Sequence, residues 1–195
     1  MQIAEAKKWM TLFHEKIQAQ QAFLSDLDTP IGDGDHGGNM ARGMQAVVAE
    51  LERQDFDSAA DLFKMVAMQL LSKVGGASGP LYGSAFLGLS QNIEGHGLEQ
   101  ALTAALTAIQ KRGQAQLGDK TMVDVWVPVL ATLQAGSLTA QQIADYVEAT
   151  KDLQAKKGRA SYVGERSVGH VDPGSASSGL LFEAMLEAEV VPCQK

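Results

Sequence analysis

Apolar residues recur at three- and four-residue steps along almost the whole chain, and that periodicity excludes most sheet architectures. In the first segment Ile3, Ala6, Met10, Phe13, Ile17, Leu24 and Leu27 share one helical face. The rhythm returns with Met40, Met44, Val47, Val48 and Leu51 in 39–53. It returns again with Leu62, Val66, Leu70 and Val74, where Ser58, with Asp61 three residues on, is the N-cap of a helix over 58–73. Further helices are expected over 78–92, 98–112, 121–133, 139–156 and 174–190, with Pro128 kinking the sixth of the series. Val123-Asp124-Val125-Trp126-Val127 is the one strand-like stretch, and helices flank it. The expectation is an all-α fold: eight amphipathic helices, mostly joined by short connections and therefore antiparallel, as a bundle or a closed barrel. No linker or repeat divides the sequence, so residues 1–195 read as a single domain.

Charge and composition narrow the function. Sixteen basic against 23 acidic residues leave a net −7, which argues against a nucleic-acid partner. There is no apolar run of ~18 residues to span a membrane, and Met1 to Lys8 lacks the apolar stretch of a signal peptide. A lone Cys193 excludes a disulfide framework. A cytoplasmic protein is expected.

The 20 glycines are many for a helical chain, and they cluster. They gather at 32–38, at 75–79 and around Gly158, Gly164, Gly169 and Gly174, each at an expected helix end. In an up-and-down array the loops after odd-numbered helices share one end. The glycine-rich loops after the first, third and seventh helices therefore converge, and Gly113 to Lys120 after the fifth joins them.

Asp28, Asp33 and Asp35 fall in one turn-rich loop, Asp28-Thr29-Pro30-Ile31-Gly32-Asp33-Gly34-Asp35-His36-Gly37. Three close carboxylates suit a hard divalent cation; the competing reading is a solvated acidic turn. An EF-hand is excluded, because Met44 stands where its last ligand belongs. Gly32, Gly34 and Gly37 spell a dinucleotide fingerprint, but after a helix and with aspartates between, so that reading fails too. Gly75-Gly76-Ala77-Ser78-Gly79-Pro80 opens a helix, as a phosphate cradle or as a tight turn capped by Ser78. Asp119 or Thr121 can cap the sixth helix. The long loop led into by Lys156 and running through Asp172-Pro173-Gly174 is of a functional length; its Arg159 can meet phosphate, stack on a base or pair with Glu165. His36 and His170 read as hydrogen-bonding loop residues rather than covalent carriers. His14 and His96 read as surface residues, and Trp9, Trp126 and the eight methionines as core.

Four strings in order, Asp28 to Gly37, Gly75 to Leu81, Gly118 to Pro128, and Gly158 to Gly174, resemble the L-subunit family of bacterial dihydroxyacetone kinases. The resemblance spans residues 28 to 174 and the chain length also fits. It implies a closed barrel of eight antiparallel helices with a nucleotide capping one end. It carries Asp28, Asp33 and Asp35 over as ligands of two Mg²⁺ ions. His36, Gly37, Gly38, Asn39, Ala77, Ser78, Gly113, Met122, Arg159, Asp172, Pro173 and Gly174 carry over as nucleotide contacts. Gly38, bare in the middle of the nucleotide stretch, departs from the pattern without changing a role. It further implies ADP as a prosthetic group, recharged by a phosphohistidine of an M subunit of the phosphotransferase system. The phosphoryl group then passes to dihydroxyacetone on a K subunit, with no protein nucleophile. The resemblance also leaves room for an exchangeable ATP-binding lobe of a dihydroxyacetone or fatty-acid kinase, and for an ADP-loaded partner of a transcriptional regulator.

Overall fold

A computed structural model describes residues 1–190; Cys193 lies outside them. Among the described residues the regular structure is entirely helical. The elements are α1 (Ile3–Ala19), α2 (Gln21–Asp28), α3 (His36–Arg53), α4 (Ala59–Lys73), α5 (Ser78–Gly113), α6 (Val123–Gln134), α7 (Ala140–Ala149) and α8 (Pro173–Glu187). Short 3-10 segments occupy Thr150–Asp152 and Arg159–Ser167. The strand-like stretch around Trp126 lies inside α6, which continues past Pro128. No described helix is long and apolar enough to cross a membrane.

The helices pack in chain order, α3 on α1, then α4, α5, α6, α7 and α8 each on its predecessor, and α8 returns to α1 to close a ring. Large aromatic side chains fill it. Trp9 meets Phe63 edge-on at 5.7 Å and Trp126 meets Phe182 at 4.8 Å; such pairs add about 0.5–1.5 kcal/mol beyond the burial of their area. Trp9 is fully buried and donates its indole N–H to the Leu181 carbonyl at 2.9 Å. Met10, Met40, Met44, Met122 and Met185 are buried, but Met68 is an exposed exception among the methionines.

Several element boundaries differ from the periodicity reading. The first long helix breaks at Gln20 (φ −104°, ψ 10°), so that α2 leaves at a new angle toward the acidic loop. The second helix starts at His36 rather than 39. The expected helices over 78–92 and 98–112 are the two arms of α5, which turns at Gly97 (φ 80°, ψ 176°). The arms pack so closely that a Cβ on Gly88 would lie 2.9 Å from the Ala104 carbonyl. The seventh helix stops at Ala149 rather than 156, because the Thr150 hydroxyl turns back to the Val147 carbonyl at 2.7 Å. The Ser58 cap stands as read, accepting the Asp61 N–H at 3.0 Å. His96 is exposed, but His14 is not a plain surface residue: its Nδ1 is buried without a partner, and burial holds its pKa below the usual histidine range.

Candidate functional site

The acidic loop follows α2. Asp28, Asp33 and Asp35 each place one carboxylate oxygen within 4.8 Å of the others, the one such cluster among the described residues. Asp28 is buried, and its Oδ2 accepts the N–H groups of Asp35 at 3.1 Å and His36 at 3.3 Å. Gly32 makes this closure possible, since a Cβ there would sit 2.0 Å from Asp28 Oδ1. Gly37 lets α3 lie on α2, since its Cβ would meet the Gln21 carbonyl at 1.9 Å. Converging carboxylates repel one another unless positive charge stands among them. Here Arg159 supplies some: its guanidinium pairs with Asp33, not with Glu165 as the sequence allowed. Three hard oxygen donors remain suited to a hard divalent cation.

His36 is buried with both ring nitrogens engaged, Nδ1 with Ser78 Oγ at 3.0 Å and Nε2 with Ser177 Oγ at 2.9 Å. Burial lowers its pKa to about 4, so the ring is neutral at pH 7. It ties α3 to the starts of α5 and α8, which leaves neither nitrogen free to carry a phosphoryl group. The chain of hydroxyls continues inward. Ser177 meets Tyr82 at 2.8 Å, Tyr82 meets Ser178 at 3.1 Å, and Ser178 accepts the Trp126 indole N–H at 3.1 Å. Sequence spacing gave no sign of Tyr82, Ser177 or Ser178 as a group.

Gly75 and Gly76 deliver the chain to α5, whose N-cap is Ala77. Ser78 does not cap the helix, because its hydroxyl faces His36; no side chain occupies the N-cap role. The first-turn N–H groups of Ser78 and Gly79 therefore have no side-chain acceptor, at a helix start whose Ala77 and Ser78 line the cleft, an arrangement that favours an anion. A Cβ on Gly75 would crowd the Asn39 amide at 2.9 Å, and that amide is fixed in turn by Arg42.

The fourth wall comes from two loops. In the turn before α6, Asp124 accepts the N–H groups of Gly118 at 2.6 Å and Thr121 at 2.8 Å, and the Thr121 hydroxyl accepts the Val123 N–H. Asp119 instead accepts the Gln116 N–H. Lys120 lies beneath, almost fully buried. Asp172 caps α8 by accepting the Ser175 N–H at 2.7 Å, with Pro173 opening the helix. Burial, opposed by the Ser175 hydrogen bonds, pushes the Asp172 pKa up to about 6.

These four loops meet at one end, as the odd-loop argument expected. They enclose one cleft lined by Asp28, Asp33, Asp35, His36, Asn39, Ala77, Ser78, Met122, Arg159, Asp172, Pro173 and Gly174. Beside it lies a second, mainly apolar compartment that shares Ala77, Leu81 and Met122 and adds Ile109, Gly113, Ala115 and Val123. Gly37 and Gly38 lie in the first turn of α3 and do not line either compartment.

Residues 30–187 match the DAK2 domain family. The chain belongs to that family. Among its relatives is the ADP-binding subunit DhaL of the PTS-dependent dihydroxyacetone kinase of Lactococcus lactis, 55% identical, the match covering 92% of this chain and 94% of that one. The ADP-binding subunit DhaL of the PEP-dependent dihydroxyacetone kinase of Escherichia coli is 40% identical, over 91% and 92%. Among solved structures, the native dihydroxyacetone kinase of C. freundii superposes with a TM-score of 0.76 at 28% identity, over 94% of this chain and 34% of that one. This DAK2 chain thus corresponds to about one third of the C. freundii kinase and to nearly the whole of the separate subunits.

Proposed function

We propose that this DAK2 chain is the ADP-binding, phosphoryl-transferring subunit of a phosphotransferase-system-dependent dihydroxyacetone kinase. One observation carries the reading: an acidic triad faces an uncapped helix N-terminus across a cleft that continues into an apolar compartment. Metal, diphosphate and base require those three environments in that order. Subunit relatives matched along nearly their whole length support it.

Asp28, Asp33 and Asp35 would hold Mg²⁺, two ions on the family pattern. When bound, ADP with its metal supplies a terminal phosphate that can accept and pass on a phosphoryl group. The protein's own groups prepare the place. The α5 amides stabilise phosphate charge from the side opposite the aspartates. His36 holds the α5 and α8 N-termini at fixed separation. Arg159 neutralises charge at the mouth. Gly113 and Met122 belong to the apolar compartment that would receive the base. No side chain is needed as nucleophile. A K subunit presenting dihydroxyacetone and an M subunit presenting phosphohistidine would approach the loop end in turn, in the cytoplasm.

The test is to denature purified protein and measure released nucleotide, then to supply phosphorylated M subunit. About one ADP per chain, and dihydroxyacetone phosphate formed only when K and M are both present, are expected. A chain that purifies without nucleotide and works with added ATP alone is an exchangeable lobe, which overturns the proposal.

A further inference from the structure

A lysine in a nucleotide cleft is ordinarily read as a phosphate ligand. Lys120 lines this cleft, yet its ammonium is engaged by backbone carbonyls. Nζ donates to the carbonyls of Thr150 at 2.6 Å and His170 at 2.5 Å, with the Lys151 carbonyl at 3.5 Å. An ammonium has three protons and no acceptor, and three carbonyls satisfy it. The residue is 1% exposed and adopts φ 59°, a left-handed conformation that a side-chain-bearing residue holds only when its surroundings impose it.

The three carbonyls come from two stretches of chain far apart in sequence, Thr150-Lys151 and His170. Thr150 and Lys151 open the long loop that carries Arg159, and His170 closes it. The same stem is joined by the Gly169 N–H to the Lys151 carbonyl at 2.8 Å and by the Asp172 N–H to Thr150 Oγ1 at 3.0 Å. Residues flanking Lys120 extend the tie. The Asp119 carbonyl accepts the Lys156 N–H at 3.0 Å, and the Thr121 carbonyl accepts the Ser175 hydroxyl at 2.8 Å. Between stem and tip, Ala155 and Ala160 pack on Ile31 of the acidic loop, which sets Arg159 beside Asp33.

We propose that Lys120 is a positioning residue that clamps the stem of the 150–172 loop and so holds Arg159 and the Asp172-Pro173-Gly174 turn against the bound nucleotide. Burial holds the Lys120 pKa below the usual lysine value, and the charges of Asp172, Asp124 and Asp152 oppose that shift in part. The inference rests on the ADP-binding reading for its consequence but not for its geometry, and the two fail separately.

The experiment compares wild type, Lys120→Met, Arg159→Ala and the double variant. One readout is the rate of loss of radiolabelled ADP into excess unlabelled ADP; the other is amide hydrogen exchange in nucleotide-free protein. Lys120→Met should speed ADP loss about tenfold, the scale for residues in one shared network. It should raise exchange in 150–152 and 168–172 while leaving 36–53 unchanged. On the Arg159→Ala background its further effect should shrink to about threefold or less, because the two act through one loop. Lys120→Arg, which keeps the cation, should recover most of the retention. Should Lys120→Met not fold, Lys120→Gln, which keeps a donor without the charge, takes its place in each comparison. Wild-type retention in the variant, unchanged exchange at the stem, or fully multiplicative effects with Arg159→Ala would each overturn the clamp. Wild-type protein that never held ADP would count against the nucleotide reading, and the exchange arm would still decide Lys120.

Discussion

Asp172 is buried at the start of α8 with a carboxylate pKa raised to about 6, from an ordinary value of 3.8, by desolvation first of all. The folded chain thus holds a proton that the unfolded chain has released between about pH 4 and pH 6, and this residue's contribution to stability falls as pH rises through that window. Asparagine caps a helix equally well and never ionises. Asp172→Asn should therefore gain stability relative to wild type from pH 4 to pH 7, by roughly 2–3 kcal/mol at 1.4 kcal/mol per pH unit. Urea unfolding of nucleotide-free protein at both pH values checks this. His36, whose depressed pKa gives the opposite slope, is common to both chains and cancels in the difference; an equal difference at both pH values contradicts the burial argument. Gly32→Ala tests the triad without touching an acid. A Cβ 2.0 Å from Asp28 Oδ1 forces that carboxylate out of place, so Mg²⁺ affinity should drop about 10–100-fold, as for other residues that orient a ligand, with helix content by circular dichroism unchanged. The aspartates were legible in sequence because three acids among turn residues are unusual. Lys120 and Asp124 were not, because neither spacing nor residue type reveals a side chain satisfied by backbone groups of distant loops.

At the scale of elements, periodicity reported which residues face the core, and so it located the helices well. It was blind to where a helix turns. Leu24 continues the stripe of Ile17, so nothing in the pattern marks the break at Gln20. Gly95 and Gly97 look alike in sequence, yet only Gly97 has positive φ and turns α5 back on itself. The pair makes an internal control. Gly97→Ala must hold a positive-φ, extended-ψ conformation that is essentially restricted to glycine and should cost about 1–3 kcal/mol. Gly95→Ala, helical and with nothing within 4 Å of its Cβ, should stabilise by about 0.5–1 kcal/mol through the unfolded chain. Gly88→Ala should cost about 1–3 kcal/mol, because the new carbon meets a backbone carbonyl that cannot step aside. Urea midpoints of the three variants give the order; a Gly97→Ala variant as stable as Gly95→Ala would mean that the two arms of α5 do not turn there. The loop after α7 was legible as functional from its length, but its 3-10 segments and its stem depend on Thr150 and Lys120 and on no local signal.

For the molecule as a whole the question is how a chain of net charge −7 retains a polyanion. The cations at the cleft are few. Lys120 is committed to carbonyls and Arg159 to Asp33, with Lys157 beside them. Against them stand three aspartates within reach of one another. Uncapped amides of α5 contribute partial charge, worth about 0.3–1 kcal/mol for an anion at a helix N-terminus, too little to offset three carboxylates. On the proposed reading, retention of ADP would pass through divalent metal, which would turn the aspartates from repulsive to attractive. Dialysis without chelator should leave ADP in place, whereas EDTA should release it and lower the melting temperature. With ligand at about a hundredfold over its dissociation constant the lost stabilisation is ~2.7 kcal/mol, or roughly 5–10 °C for a chain of this size. Raising salt should not substitute for the metal. Screening acts over about 8 Å at physiological ionic strength, and carboxylate and phosphate would meet at shorter range than that. ADP that stays bound after chelation, with an unchanged melting temperature, would remove metal from the account and return Asp28, Asp33 and Asp35 to an acidic turn neutralised by Arg159 alone.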